Sequence, residues 1–297
     1  MQQEIIKLKK EKNVLILAHF YQTMDIQEVA DYVCDSFEMA RLAHKAEQDT
    51  LIICGVHFMA ESAKILNPTK RVILPVPGAG CPMADMITPE DVIALRKQHP
   101  NAAVVCYVNS TAAVKAVSDI CCTSSSAERI VRALPEKQII FIPDRNLGSY
   151  ISSKIPEKEF IFHPGWCPVH DCITTDDVTN AKNAHPNAKL LVHPECRGDV
   201  LRQADFIGST AEIIEFAVKS DINDFIIGTE IGVAEHLAKL APAKHFYPLT
   251  SSFECEDMKK VKLSDVLHSL TTGEHEMLLS TKEAEAAKHS LERMVTI

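Results

Sequence analysis

The sequence predicts an α/β fold made of three pseudo-symmetric αβα units, an internal triplication with parallel sheets. Three observations predict it. Four sequence lines recur three times in the same order, at intervals of 85 to 88 residues. The strands among them are apolar and continuous rather than alternating, as in parallel sheets covered by helices on both faces. Helical stretches lie between them, and this βαβ alternation calls for small layered α/β units.

The first recurring line is an apolar strand with a polar tip: VLILAHFYQ at 14–22, AAVVCYVNST at 102–111 and AKLLVHPEC at 188–196. The second reads ADYVCDS (30–36), VSDICCTS (117–124) and QADFIGST (203–210). The third reads LIICGVHFMAE (51–61), IIFIPDRNLG (139–148) and FIIGTEIG (225–232). The fourth ends in cysteine: RVILPVPGAGC (71–81), EFIFHPGWC (159–167) and KHFYPLTSSFEC (244–255). Helical patterns are expected at 24–32, 37–47, 59–66, 88–98, 111–118, 126–134, 174–184, 197–203, 211–219 and 232–240. With boundaries just after each cysteine, the units are 1–86, 87–172 and 173–255. The tail, 256–297, is too short for a fourth unit. Its helices at 262–271 and 281–295 are expected to pack back on the first unit, beside an N-terminal helix at 2–12.

Composition narrows the function. A 46% hydrophobic and 24% charged chain of 297 residues is that of a soluble globular protein. No apolar run approaches the length of a membrane span, and the start, MQQEIIKLKKEKN, lacks the apolar core of a secretory signal. The net charge is −9, with no basic cluster denser than Lys7, Lys9, Lys10 and Lys12, which argues against nucleic acid as a partner. A small anionic substrate fits, since a local site can oppose the net field. Ten cysteines without a single CxxC pair give no support to a zinc ribbon or a thioredoxin-type centre. Cys34, Cys54, Cys106, Cys121 and Cys122 read as small buried hydrophobes in a reducing cytoplasm, with Cys172 and Cys196 also taken as structural.

The remaining three cysteines are the candidate metal ligands. Cys81, Cys167 and Cys255 are separated by 86 and 88 residues, one per unit, so one chain can aim three thiols at one point. Three thiolates leave one coordination place over. An iron–sulfur cubane with one open iron, or zinc with three cysteines and a water, both suit such soft ligands. Ligands in open parallel sheets bind beyond the carboxyl ends of the strands. The tips there carry His19 and Tyr21, Tyr107 and Asn109, His193 and Glu195. Each pair is spaced i, i+2, so both members point one way from an extended strand. The second lines end in Ser36, Ser124, Ser209 and Thr210 just before helices. These are N-cap residue types, and a helix N-terminus also holds carboxylate or phosphate.

With those residues in view, the chain resembles the quinolinate synthase family of NAD biosynthesis. The resemblance rests on Ala18-His19-Phe20-Tyr21-Gln22, Cys81-Pro82-Met83-Ala84, Tyr107-Val108-Asn109-Ser110, Cys167-Pro168-Val169-His170, Val192-His193-Pro194-Glu195-Cys196, Gly208-Ser209-Thr210, Gly228-Thr229-Glu230-Ile231-Gly232 and Met258-Lys259-Lys260. It covers nearly the whole chain.

The resemblance implies three αβα domains around a central [4Fe–4S] cluster held by Cys81, Cys167 and Cys255. It implies condensation of iminoaspartate (iminosuccinate) with dihydroxyacetone phosphate to quinolinate, phosphate and two waters. An L-aspartate oxidase or an aspartate dehydrogenase could supply the imine. His19, Ser36, Tyr107, Asn109, Ser124, His193, Glu195 and Thr210 are implied to line the substrate site, with Tyr21 and Ser209 adjacent. Proton transfer would fall to Tyr21, Tyr107, Glu195, His19 and His193. Phe20 and the Glu256-Asp257-Met258 stretch after Cys255 depart from patterns in the family. The first should point away from the site; the second leaves no neighbouring cysteine for a regulatory disulfide. Two alternatives remain at this stage: another three-cysteine cluster enzyme of radical or reductive type, and a non-enzymatic cluster-binding sensor.

Overall fold

The computed structural model describes residues 1–296. Its strands are β1 Val14–His19, β2 Tyr32–Cys34, β3 Thr50–Cys54, β4 Arg71–Ile73, β5 Ala103–Tyr107, β6 Ile120–Cys122, β7 Gln138–Ile142, β8 Glu159–Phe162, β9 Lys189–Val192, β10 Phe206–Ile207, β11 Asp224–Gly228 and β12 His245–Pro248. They form three four-stranded parallel sheets with one order each: β2-β1-β3-β4, β6-β5-β7-β8 and β10-β9-β11-β12. The predicted α/β class with triplicated parallel sheets is the observed one. The central strands of each sheet are buried almost throughout, as at Ile16, Leu17, Ile52 and Ile53. Each such side chain taken from water stabilises the fold by about 1.5–3 kcal/mol.

The helices are α1 Gln2–Glu11, α2 Met24–Val29, α3 Ser36–Lys45, α4 His57–Leu66, α5 Pro89–Gln98, α6 Ala112–Ala116, α7 Ala127–Ala133, α8 Arg145–Lys154, α9 Pro168–Asp171, α10 Thr175–Ala184, α11 Gly198–Leu201, α12 Thr210–Lys219, α13 Gly232–Leu240, α14 Leu263–Thr272 and α15 Thr281–Thr296. Thr88 opens α5 and Thr174 opens α10 with the same reciprocal cap, to Asp91 and Asp177.

The repeat extends to side-chain bonding. In every unit an aspartate preceding the second strand accepts the amide of a residue fifteen positions upstream: Asp31 from Ile16 (2.8 Å), Asp119 from Val104 (2.7 Å) and Asp205 from Leu190 (2.9 Å). Asp31, Asp119 and Asp205 also donate their own amides to the same three residues. One two-sided clip therefore sets the register of each strand pair, and the polar tips of β1, β5 and β9 emerge at corresponding places.

Two expectations change. Helix α8 was expected only as the end of a strand line running to 148. Its Gly148, Ser149, Ser152 and Ser153 dilute the apolar stripe of Leu147, Tyr150 and Ile151, and Asp144 caps it through the Leu147 amide at 2.8 Å. The tail was expected wholly on the first unit. Helix α14 lies along α1, but α15 runs over α6 and β6 of the second unit and α4 of the first. The apolar face of Ala287, Leu291 and Met294 is buried there. Between those residues, Ser290 Oγ donates to the Lys115 carbonyl at 2.9 Å, an anchor no local pattern announces.

Candidate active site and metal centre

Each cysteine that ends a unit starts a helical turn. The carbonyl of Cys81 accepts from the Ala84 amide (2.8 Å), that of Cys167 from the Asp171 amide (2.9 Å) and that of Cys255 from the Lys259 amide (3.2 Å). Buried carboxylates hold two of the loops from behind: Asp144 accepts the Cys167 amide at 3.1 Å and Glu230 the Cys255 amide at 3.4 Å. Asp257 accepts the Gly80 amide at 3.0 Å, tying the first cysteine loop to the third.

All three thiols line one cavity of about 310 Å³. Burial pushes the Cys81 thiol up to about 12 and the Cys255 thiol to about 11, and Cys167 well above its ordinary range. Cys81 lies near enough to both other thiols for their charges to oppose one another. Three soft donors lining one void are a donor set that fits a thiolate-bound metal centre, whose positive charge would lower all three thiols. Two buried acceptors on its wall, Asn109 Oδ1 and Glu195 Oε1, have no hydrogen-bond partner in the protein. Such atoms await a ligand or water.

A second, smaller void of about 40 Å³ adjoins it and shares Tyr21, Asn109, Glu195 and Met258 as a common wall. The sequence-predicted strand-tip residues His19, Tyr21, Tyr107, Asn109, His193 and Glu195 all line this smaller void. So do Ser36, Ser124 and Thr210. Ser209 does not: its hydroxyl accepts the Glu212 amide and its amide donates to the Glu212 carboxylate at 2.7 Å, so it is spent on capping α12. Ser36 and Thr210 are the first residues of α3 and α12, whereas Ser124 sits in the loop before α7, where Ser126 takes the N-cap position. Phe20 points away, packed against His236 with ring centroids 5.0 Å apart. Among the described residues, neither void is lined by lysine or arginine.

The charge states follow from burial and neighbours. Burial opposes ionisation of Glu195, but His170 and His193 beside it, with the nearby Tyr107 phenol, hold its carboxylate down at about 2. His19 is pulled down to about 3 by burial and by His193. His193 falls to about 3 through burial, against the pull of Glu195. Tyr21 and Tyr107 are raised well above the ordinary phenol range, by burial first and then by the Glu195 charge. At neutral pH the strand tips thus present one buried carboxylate, two neutral imidazoles and two protonated phenols, and Asp35, whose carboxyl is pushed up by burial, also lines the void.

Three functional positions lay outside the candidate set. His170 is almost fully buried. Its Nδ1 lies 2.9 Å from Glu195 Oε2 and 3.3 Å from Cys167 Sγ. Its Nε2 lies 3.0 Å from Thr229 Oγ1, and Thr229 Oγ1 lies 3.0 Å from the Tyr21 hydroxyl, which in turn meets Thr210 Oγ1 at 3.0 Å. Donor atoms of Cys167, His170 and Glu195 all lie within 4.8 Å of one another. Met258 is the third, on the wall between the voids. The signal for His170 was its place one helical turn after Cys167. Thr229 and Met258 had only the motifs they sit in.

Three parallel α/β units that each bring one cysteine to one cavity and one polar strand tip to the void beside it define a triplicated α/β protein with its candidate site where the units meet. The family described as Quinolinate synthetase A protein (NadA) matches residues 3–296, and the chain belongs to that family. It is 49% identical over 297 residues to a quinolinate synthase of Caldicellulosiruptor saccharolyticus, covering 100% of this chain and 98% of the relative. It is 48% identical over 295 residues to quinolinate synthase 2 of Methanosarcina acetivorans, covering 99% and 95%. A quinolinate synthase of Clostridium perfringens is 49% identical over 291 residues, covering 98% and 97%. No helix among the described residues is long and apolar enough to cross a membrane.

Proposed function

We propose that this chain condenses iminoaspartate with dihydroxyacetone phosphate to quinolinate, releasing phosphate and two waters, with a [4Fe–4S] cluster on Cys81, Cys167 and Cys255. The observation that carries the reading is the shared wall: Tyr21, Asn109 and Glu195 face the three-thiol cavity on one side and the strand-tip void on the other. When bound, a cubane with three cysteine ligands keeps one iron without a protein ligand, and that iron supplies Lewis acidity to a departing hydroxyl.

The chain's own residues do the rest. The amide-rich starts of α3 and α12, with Ser36, Ser124 and Thr210, bind carboxylate and phosphate oxygens without a basic side chain. Asn109 Oδ1 accepts a hydrogen from substrate. Glu195, ionised, takes a proton from carbon through its free Oε1, the Tyr107 phenol gives its own proton to the departing oxygen, and the proton on Glu195 then passes to the Tyr107 phenolate, restoring both groups. His19 and His193, neutral, orient the imine and the hydroxyl groups. The Tyr21–Thr229–His170 chain connects the Tyr21 phenol to the far oxygen of Glu195, a path for moving a proton between the two. The overall condensation consumes no oxidant or reductant. A separate L-aspartate oxidase or aspartate dehydrogenase would supply the imine.

The test is quinolinate formation by protein purified without oxygen, with the imine formed in place from oxaloacetate and ammonia. Activity that disappears in Cys81→Ser, Cys167→Ser and Cys255→Ser together with the iron supports the reading. Iron-replete wild-type protein that makes no quinolinate overturns it.

A further inference from the structure

Lys259 and Glu230 form an ion pair beside the site that the chemistry above does not use. Lys259 Nζ lies 2.8 Å from Glu230 Oε1, with Glu230 wholly buried and Lys259 half-buried. The same ammonium donates to the backbone carbonyl of Tyr21 at 2.6 Å. The second carboxylate oxygen of Glu230 accepts the Gly232 amide at 2.8 Å. Three pieces of chain thus meet at one buried pair: the Tyr21 turn of the first unit, the start of α13 in the third, and the turn that Cys255 opens. A Cβ on Gly232 would stand 2.9 Å from Glu230 Oε2, 3.1 Å from Lys259 Nζ and 3.1 Å from the Phe20 carbonyl. The three pieces are packed so closely that a side chain there would displace the Glu230 carboxylate and the Lys259 ammonium.

We propose that the Lys259–Glu230 pair is a positioning device that fixes the Cys255 turn and the Tyr21 turn relative to each other, so that the third thiol and the Tyr21 phenol are held in register across the site. The inference rests on the reading that Cys255 is a metal ligand and Tyr21 a proton-transfer group. A buried pair costs desolvation that a pair of apolar residues would not, so its retention calls for more than stability. What an apolar pair cannot supply is the donor that pins the Tyr21 carbonyl. Gln22 reinforces the link, donating from Nε2 to the Met258 carbonyl at 2.7 Å.

The test compares Lys259→Met with the double variant Glu230→Gln/Lys259→Met. The single variant strands a buried carboxylate and is expected to lower the Tm. The double variant removes both charges and is expected to recover the Tm while leaving the Tyr21 carbonyl without its donor. Two readouts then separate positioning from folding. In metal-free protein, alkylation of Cys255 by iodoacetamide, followed peptide by peptide, is expected to accelerate relative to Cys81. In cluster-loaded protein, kcat/KM per bound cluster is expected to fall by about 100-fold, the scale of a misplaced catalytic group. A double variant with wild-type Tm, wild-type Cys255-to-Cys81 alkylation ratio and wild-type kcat/KM overturns the proposal. Should the double variant fail to fold, Gly232→Ala keeps both charges, displaces the pair and is expected to give the same two changes. If wild-type protein makes no quinolinate, the functional reading fails, and the alkylation ratio alone decides the clamp.

Discussion

His170 Nδ1 and Glu195 Oε2 lie 2.9 Å apart in a contact that joins the second unit to the third, one residue on the turn after Cys167 and the other beyond the tip of β9. The Glu195 carboxylate is acceptor-only, which assigns the hydrogen on that side of the ring to Nδ1. The other nitrogen then accepts from Thr229. His170→Ala leaves Glu195 buried without this donor. Turnover is expected to fall by about 100-fold or more, the range for a disrupted acid–base group, while iron content, which the proposed function places on the three thiols, is expected to be retained. Measured kcat at wild-type level with a full iron count would remove His170 from the reaction.

Thr229 links that imidazole to Tyr21. Thr229→Val keeps the shape and deletes the hydroxyl that two buried partners use. Losing it costs about 1–3 kcal/mol of transition-state stabilisation if the chain operates as a unit. Tyr21→Phe breaks the same chain one atom further on. The double variant is therefore expected to lose no more kcat than Tyr21→Phe alone. Losses that add in full would show that the two hydroxyls act separately.

His19 and His193 make the metal-free fold acid-sensitive. Both are buried neutral with pKa values of about 3, against an ordinary value of 6.5. Between those limits the unfolded chain binds more protons than the folded one, so stability rises with pH across the window. It is fully present above 6.5 and lost progressively as pH falls toward 3. Going from about pH 8 to about pH 5 should cost about 2 kcal/mol for each imidazole. Urea unfolding of wild type and His19→Gln at both pH values measures it: the variant should lose about half of the imidazole-dependent slope. Identical pH slopes would mean that His19 is not held neutral in the fold.

The sheets were legible because a parallel strand buried on both faces writes itself as an unbroken apolar run, and because the run came three times. The strand-tip pairs and the three cysteines were legible for the same reason: each unit repeats them in phase. What the triplication could not reveal is what one unit does to another. His170 meets Glu195, Thr229 meets Tyr21, and Lys259 meets the Tyr21 carbonyl, all across unit boundaries and without counterparts in the other repeats. Ser209 carried both readings in the sequence, because a hydroxyl at a helix start serves either a ligand or its own backbone, and the Glu212 geometry shows the capping use. Helix α8 was hidden because its apolar stripe, Leu147, Tyr150 and Ile151, is short and interrupted by Gly148 and serines that read as the end of a strand line.

Gly228 offers a test of how the strands aim the site. It ends β11 where that strand meets β9, and an added Cβ would lie 2.8 Å from the Leu191 carbonyl oxygen, 2.9 Å from Val192 Cγ2 and 3.2 Å from Val192 Cα. Two of these neighbours are backbone and cannot swing aside. The Gly228 carbonyl also accepts the His193 amide at 3.0 Å, so strain at Gly228 passes directly to the tip that carries His193 and Glu195. Gly228→Ala is expected to cost about 1–3 kcal/mol, as overpacking does in a filled core, and to lower kcat as well. Gly148→Ala is the contrast. Its Cβ would meet the rings of Phe141 and Phe162 at 2.9–3.1 Å, behind the second sheet, and neither ring lines the two voids. That variant should lose Tm but keep kcat at temperatures where it is folded. Equal effects of the two alanines on kcat would show that the β9–β11 contact does not govern the placement of His193 and Glu195.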